Sequence, residues 1–241
     1  MAALHYLEEV CKLLQVVAKS QIDAIRKASE LVAQAIAQGG LLHVFGVGHS
    51  HILAEEVFFR AGGLAPVNAI LEPGLMLHAG ALKSTWLEKV HGYAHVLLDY
   101  HKVKPKDVLL IASNSGVNAV PLEMALEARQ RDIRTIAITS VEYSRKIKGD
   151  QKALFEVVDV VIDNCGVYGD AILELPGLKE RVGPSSTVIG AAIVNAIVVE
   201  AIAALLSQGI IPPVYVSSHQ PGASEHNLRL AETFWPRLRA L

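Results

Sequence analysis

The stretch Leu41-Leu42-His43-Val44-Phe45-Gly46-Val47-Gly48-His49-Ser50-His51 decides how the chain is read. Its first five residues form an apolar run that Gly46 stops. A run so short and without polar alternation reads as a strand buried on both faces. Helical spacing follows from Ser50 to Ala61, so the unit is strand, glycine turn, helix. The same grammar returns at Val67 to Leu71 with a helix after Gly80, and at Val108 to Ala112 with a helix from Ala119 to Arg131. It returns again at Ile133 to Thr139, and a fifth strand, Val157 to Ile162, leads into a loop rich in Gly and Asp. Short buried strands alternating with helices predict an α/β protein built as a three-layer sandwich, with a five-stranded parallel sheet between two layers of helices.

The flanks follow different periods. Leu4, Leu7, Val10, Leu14 and Val17, then Ile22, Ile25, Leu31, Val32 and Ile36, recur at helical spacing, with a break near Ser20 and a stop at Gly39-Gly40. That predicts a pair of helices as an N-terminal extension. Val188 to Leu206 is almost wholly apolar and about long enough to cross a bilayer, but it contains Asn195 and Glu200, is rich in Ala and lacks an aromatic or basic girdle. A buried central helix is the expected reading, with no membrane partner. Ala223 to Leu241 reads as a polar helix carrying Leu228, Leu230 and Phe234. The economical division is a single domain over 1–241, with helices in 1–40, an αβα core in 41–206 and a tail in 207–241.

Hydrophobic residues make up 51% and charged residues 19% of the 241 positions, which excludes disordered and collagen-like classes. Lys and Arg number 22 against 24 Asp and Glu, a net charge of −2, so no positive field suits a nucleic-acid partner. Cys11 and Cys165 lie in unrelated contexts, without disulfide or zinc-ligand spacing. Glu8 and Glu9 occupy the place of a basic leader, so no signal peptide is read and a cytoplasmic location is expected. A chain this apolar also predicts a homo-oligomer that covers part of its surface.

In an open parallel sheet, ligands bind beyond the carboxyl ends of the strands, where helix N-termini present unpaired amides. The first such turn offers Gly46, Gly48, His49 and Ser50. It is not a dinucleotide fingerprint, because His51 stands where the third glycine belongs, and no GK[ST] follows to make a phosphate-binding P-loop. The third turn is Ser113-Asn114-Ser115-Gly116-Val117-Asn118, and a third hydroxyl cluster, Ser185-Ser186-Thr187, opens the apolar helix. Any one of these reads equally well as turn and cap residues. Together they suit a phosphate monoester. Ten histidines include His49-x-His51 and the pair His91 and His95, but neither pair has a third ligand at defined spacing, so no metal site is expected. No G-x-S-x-G elbow supports a serine hydrolase.

The ordered motifs carry a resemblance. Strand, Gly-x-Gly-x-Ser and helix, then strand, Ser-x-Ser-Gly and helix, then Ile136 to Ser140 and the strand entry Val158-Asp159, resemble the SIS (sugar isomerase) domain from about Leu41 to Leu206. The likeness is closest to single-domain bacterial members, through Ser113-Asn114-Ser115-Gly116 with Asn118-Ala119-Val120-Pro121 and Asp163-Asn164. It implies a flavodoxin-like five-stranded sheet, phosphosugar binding without metal or nucleotide, no cofactor, and a homodimer or homotetramer with sites near subunit contacts. It also implies that Ser50, Ser113, Ser115 and Ser185 to Thr187 hold the phosphate and sugar.

Aldose–ketose isomerisation needs a base to move a proton between adjacent carbons and a donor for the carbonyl oxygen, for which carboxylate and imidazole are the natural pair. Glu72-Pro73-Gly74-Leu75-Met76-Leu77-His78 is similar to the His-Pro-Gly-Glu-Ala-x-His stretch of arabinose 5-phosphate isomerases, with Leu75 in place of the acid and His78 retained. Val117-Asn118 stands where many such isomerases carry Glu or Thr. The catalytic candidates are therefore Glu55, Glu72, His78 and His226. An etherase or lyase resembling the N-acetylmuramic acid 6-phosphate etherases, and a non-catalytic phosphosugar sensor, remain the alternatives.

Overall fold

Each residue of β1 (Leu42–Gly46), β2 (Val67–Ile70) and β3 (Val108–Ala112) is buried. Unalternating apolar strands need cover on both faces, and the computed structural model, which describes residues 1–239, shows that cover. With β4 (Arg134–Thr139) and β5 (Val160–Asp163) these strands form one sheet in the order β2-β1-β3-β4-β5. Every pair in it is parallel, and Leu42 lies opposite both Val67 and Val108. A small antiparallel hairpin of β6 (Ala171–Leu173) and β7 (Val182–Pro184) follows.

The helices are α1 (Ala2–Ser20), α2 (Ile22–Ala37), α3 (Ile52–Val57), α4 (Ala81–Leu87), α5 (Tyr93–Tyr100), α6 (Ala119–Gln130), α7 (Val141–Ile147), α8 (Ser186–Ser207) and α9 (Ala223–Phe234). Strand residues alternate between two cores, as a period of two requires. Leu42, Val44, Leu110 and Ile136 pack with Val32, Leu53, Ile193 and Ile197 from α2, α3 and α8. Phe45, Leu109, Ile111 and Ala137 pack on the other face with Leu97, Leu98, Val120 and Met124 from α5 and α6.

The apolar length of α8 is explained by this packing. Ile189, Gly190, Ile193, Val194, Ile197, Val198, Ala201 and Leu205 are buried along one side. At Gly190 a Cβ would stand 2.7 Å from a Leu53 methyl, so any larger residue would force the buried Leu53 side chain to move. Asn195, the polar residue in the apolar run, donates to Glu56 on α3 at 2.8 Å.

Two elements depart from the sequence expectation. The helix predicted from Ser50 to Ala61 is a 3-10 turn, Gly48–His51, followed by α3, which ends at Val57. The chain leaves the helix there because residues 62–65 pair with residues 213–215. Gly62 donates to the Tyr215 carbonyl, Ala65 donates to that of Pro213, and Phe59 packs on the Tyr215 ring. Tertiary pairing overrides local helical spacing. The predicted tail helix from Ala223 to Leu241 ends at Phe234, and its last two positions lie outside the described residues.

The tail is tied to the amino-terminal end of the sheet by a buried polar network. Asp107, just before β3, accepts from the Leu41 amide (2.9 Å), from Arg237 (2.6 and 2.8 Å) and from His43 Nε2 (3.3 Å). Asn68 on β2 donates to His43 Nδ1 and to His101 Nδ1, both at 3.1 Å, and accepts from the Arg239 amide. Burial alone raises the Asp107 carboxyl, but hydrogen bonds from His43 and Arg237 outweigh it and hold the group at about 2. Burial, helped by the charges of His43 and Arg239, pushes His101 down to about 4, and burial likewise lowers His43.

These shifts have a sign. Between its ordinary 6.5 and about 4, His101 takes up a proton in the unfolded chain and not in the folded one. Its contribution to stability is therefore complete above pH 6.5 and is lost as the pH falls toward 4. Urea unfolding across this window will show a slope of stability against pH that is shallower in His101→Gln by up to one proton, about 1.4 kcal/mol per pH unit. An unchanged slope contradicts a neutral His101 in the folded protein.

Candidate functional site

The first strand-to-helix turn depends on two glycines. A Cβ on Gly46 would lie 2.3 Å from the Ser50 carbonyl oxygen, so the turn folds back over the end of β1 only with glycine there. Gly48 takes φ +56, the left-handed region that side chains disfavour. This close fold sets Ser50 over the sheet end, with His49 exposed beside it and His51 buried beneath.

The third turn leaves β3 at Ser113, whose Oγ accepts from the Gly116 amide at 3.1 Å. Gly116 has φ +64 and packs beside the Ser144 and Thr139 hydroxyls, and Ser144 donates to the Ser115 carbonyl at 2.7 Å. Asn164, past the end of β5, accepts from the Gly166 amide through Oδ1 and donates through Nδ2 to Asn114 Oδ1, both at 2.9 Å. That chain of bonds orients Asn114 with its carbonyl inward, which leaves its NH2 without a partner among the described residues.

The loop after β5 reaches the start of α8. Asp170 accepts from the Ser185 and Ser186 amides at 3.0 and 2.8 Å, and from their hydroxyls at 3.2 and 2.7 Å. Its carboxylate caps the longest helix of the described residues, where the macrodipole favours negative charge. Ser185 and Ser186, assigned from sequence to a bound phosphate, thus bind an anion from the chain itself.

These junctions line one cleft at the carboxyl ends of β1 and β3, with a free volume of about 10 Å³. Ser50 comes from the first turn, Ser113 and Asn114 from the third, Asn164 from beyond β5, and Ser186 and Thr187 from the start of α8, over a floor of Leu53, Ala112 and Ile138. Ser50 and Thr187 make no side-chain hydrogen bond among the described residues, whereas Ser113 and Ser186 are committed. No lysine or arginine lines the cleft.

The remaining candidates fall in several places. Glu55 lies one turn after His51, with its Oε1 3.3 Å from His51 Nε2, and the His78 ring meets that of His51 edge-on at 5.2 Å. One ligand atom from each of these three residues lies within 4.8 Å of the others. Glu72 accepts from the Gly74 amide at 3.1 Å and lines a separate cavity with Tyr93, Tyr100, His101 and Arg239. There burial, and then the hydrogen bond to Glu72, raise the Tyr93 hydroxyl to about 12. Asn118 lies beside Glu88, whose carboxyl burial pushes up. His226 donates through Nε2 to the Val214 carbonyl at 2.9 Å, and Val214 bridges to Leu64 ahead of β2, at the opposite end of the sheet from the cleft. His91 and His95 pair with Glu123 and Glu127 of α6, which accounts for that spacing without a metal.

Sequence reasoning missed Asp170, which lies fifteen residues before Ser185 and carries no local signal of contact with it. Asn164 stood in a quoted motif without a role. His51 stood in the histidine pair, but its real neighbours, Glu55 and His78, are brought to it by a helical turn and by the loop after β2.

The SIS domain family profile matches residues 5–140, reaching further into the N-terminal helices than the motifs alone. A UPF0309 protein of Geobacillus kaustophilus is 44% identical over 240 residues, 98% of this chain and 96% of that protein. The structure of a phosphoheptose isomerase from Francisella tularensis shares the fold, with TM-score 0.56 at 17% identity over 84% of this chain and 97% of that one. The sugar isomerase domain of an RpiR transcription factor from Sphaerobacter thermophilus does so with TM-score 0.51 at 14% identity, over 97% and 98% of the two chains. A profile match across more than half the chain, with near full-length identity to a relative, places this protein in the SIS domain family, among the UPF0309 proteins.

Proposed function

We propose that this protein binds a phosphorylated sugar or amino sugar in the cleft at the ends of β1 and β3 and interconverts its aldose and ketose forms. The observation that carries the reading is the convergence of hydroxyl and amide donors from separate junctions on one cleft. A phosphate there meets neutral hydroxyl and amide donors in place of cationic side chains. The SIS domain match and the phosphoheptose isomerase sharing the fold agree with a phosphosugar ligand.

The cleft's free volume, about 10 Å³, is far below the roughly 300 Å³ at which small-molecule pockets begin, so its hydroxyl-lined mouth is what a ligand meets. It suits the phosphate end, with the sugar chain leading out past Ser50. His51, Glu55 and His78 stand next along the chain and loop from Ser50, which makes Glu55 and His78 the acid–base pair in this reading. Glu55 takes the proton from the carbon beside the carbonyl, and His78 donates to the carbonyl oxygen. Glu55 then returns its proton to the former carbonyl carbon, while the hydroxyl on the other carbon gives its proton to His78 and becomes the new carbonyl.

Proton NMR in deuterium oxide, with a panel of sugar and N-acetylamino-sugar phosphates, tests both steps at once. Ligand-specific shifts together with exchange of the C2 proton are expected. Binding with no exchange contradicts the isomerase, and no binding contradicts the whole reading. In Ser50→Ala with Thr187→Val, affinity for the phosphosugar will fall about 100-fold, from roughly 1.5 kcal/mol for each hydrogen bond to a charged group. Asp170→Ala behaves differently. It removes the cap of α8 and lowers unfolding stability by about 1–2 kcal/mol, while the affinity read by calorimetry stays within about twofold. A large gain of affinity in that variant places the phosphate on the α8 amides that Asp170 holds.

A further inference from the structure

His51 is 2% exposed, and its Nδ1 faces the Gly48 carbonyl oxygen, an acceptor that calls for a proton on that nitrogen. Nε2 is then a lone pair. It is buried, makes no hydrogen bond, and lies 3.3 Å from Oε1 of the exposed Glu55, so two acceptors face each other. Buried polar atoms without partners are rare and costly. A positive charge between the two removes the cost, and the His78 ring stands beside them.

We propose that His51 Nε2, a Glu55 carboxylate oxygen and a His78 ring nitrogen ligate one divalent transition cation of the zinc type. The donor set is two imidazoles and a carboxylate, which suits zinc better than magnesium or calcium. In a tetrahedral site with bonds of roughly 2.0–2.1 Å, ligand atoms stand about 3.3 Å apart, which is the separation of His51 Nε2 and Glu55 Oε1, 3.3 Å. His78 is exposed on a 3-10 turn, Leu77–Ala79, and needs only a small closing movement from within 4.8 Å. The bond from Nδ1 to a backbone carbonyl is the outer-shell contact that fixes a ligating histidine in its ring orientation and tautomer. Three protein ligands leave a fourth position open to water or to a ligand oxygen, and His51 follows directly on Ser50, which lines the cleft. The site stands independently of the phosphosugar reading. With the ion bound, the lone pairs of Glu55 and His78 serve as ligands, so proton transfer by that pair belongs to the ion-free form.

The test uses the full chain, stripped with a chelator and titrated with zinc chloride by calorimetry, with cobalt as a spectroscopic probe. One zinc per chain is expected, together with the intense visible absorption of four-coordinate cobalt. His78→Ala and Glu55→Gln, both at exposed positions, will each weaken zinc binding at least 100-fold. His91→Ala, a surface histidine paired with Glu123, will leave binding unchanged. The proposal is overturned if the stripped protein binds no stoichiometric zinc or if His78→Ala binds it as tightly as the wild type. It is equally overturned if His91→Ala does as much damage, or if proton NMR of the zinc-saturated protein finds both His51 ring nitrogens protonated.

Discussion

Strands β1 and β3 lie side by side, yet the chain leaves them toward opposite faces of the sheet, through α3 on one side and α6 on the other. The turns diverge as they rise, and a crevice opens between them that no side chain of the sheet can fill. Such a switch point leaves backbone donors with nothing in the sheet to pair with, and it is where ligands settle in doubly wound folds. The rest of the molecule serves this geometry. Gly46 allows the first turn to close, Asn164 aligns Asn114, and α8 with its glycine seat on Leu53 walls the crevice.

Competition for helix ends decides which hydroxyls remain for a ligand. Asp170 takes the first amides and hydroxyls of α8, and Ser113 serves its own turn, while Ser50 and Thr187 stay uncommitted among the described residues. A cleft walled by several hydroxyl-bearing junctions thus has only part of its donor set to offer. At the other end of the sheet the same physics is used for structure. Asp107, His43, Asn68 and His101 form a buried hydrogen-bonded network, and Arg237 locks the tail into it.

The five strands of the sheet were legible because short apolar runs such as Val108 to Ala112, bounded by turn residues, suit buried strands, although β5 starts at Val160 and not Val157 and the hairpin of β6 and β7 carried no such run. The SIS likeness was legible because glycines and hydroxyls must sit at the strand ends whatever the loops do. The end of α3 at Val57 was not, because Phe58 and Phe59 turn away to meet a segment about 150 residues later, by the separation of Phe59 and Tyr215. Glu72 and His226 looked equivalent to Glu55 and His78 on paper. Only the fold separates them, sending Glu72 into the Tyr93 cavity and His226 under Val214 while it gathers Glu55 and His78 around His51. Residue type and local spacing report what a side chain can do, and topology decides which neighbours it meets.

The most direct measurement is a crystal structure of the protein soaked with a sugar phosphate that it binds. The account predicts the phosphate in the crevice between β1 and β3, within hydrogen-bond distance of the Ser50 and Thr187 hydroxyls, with Asp170 still on the Ser185 and Ser186 amides. A phosphate in the cavity of Tyr93 and Arg239, or one that displaces Asp170 from the start of α8, would contradict it.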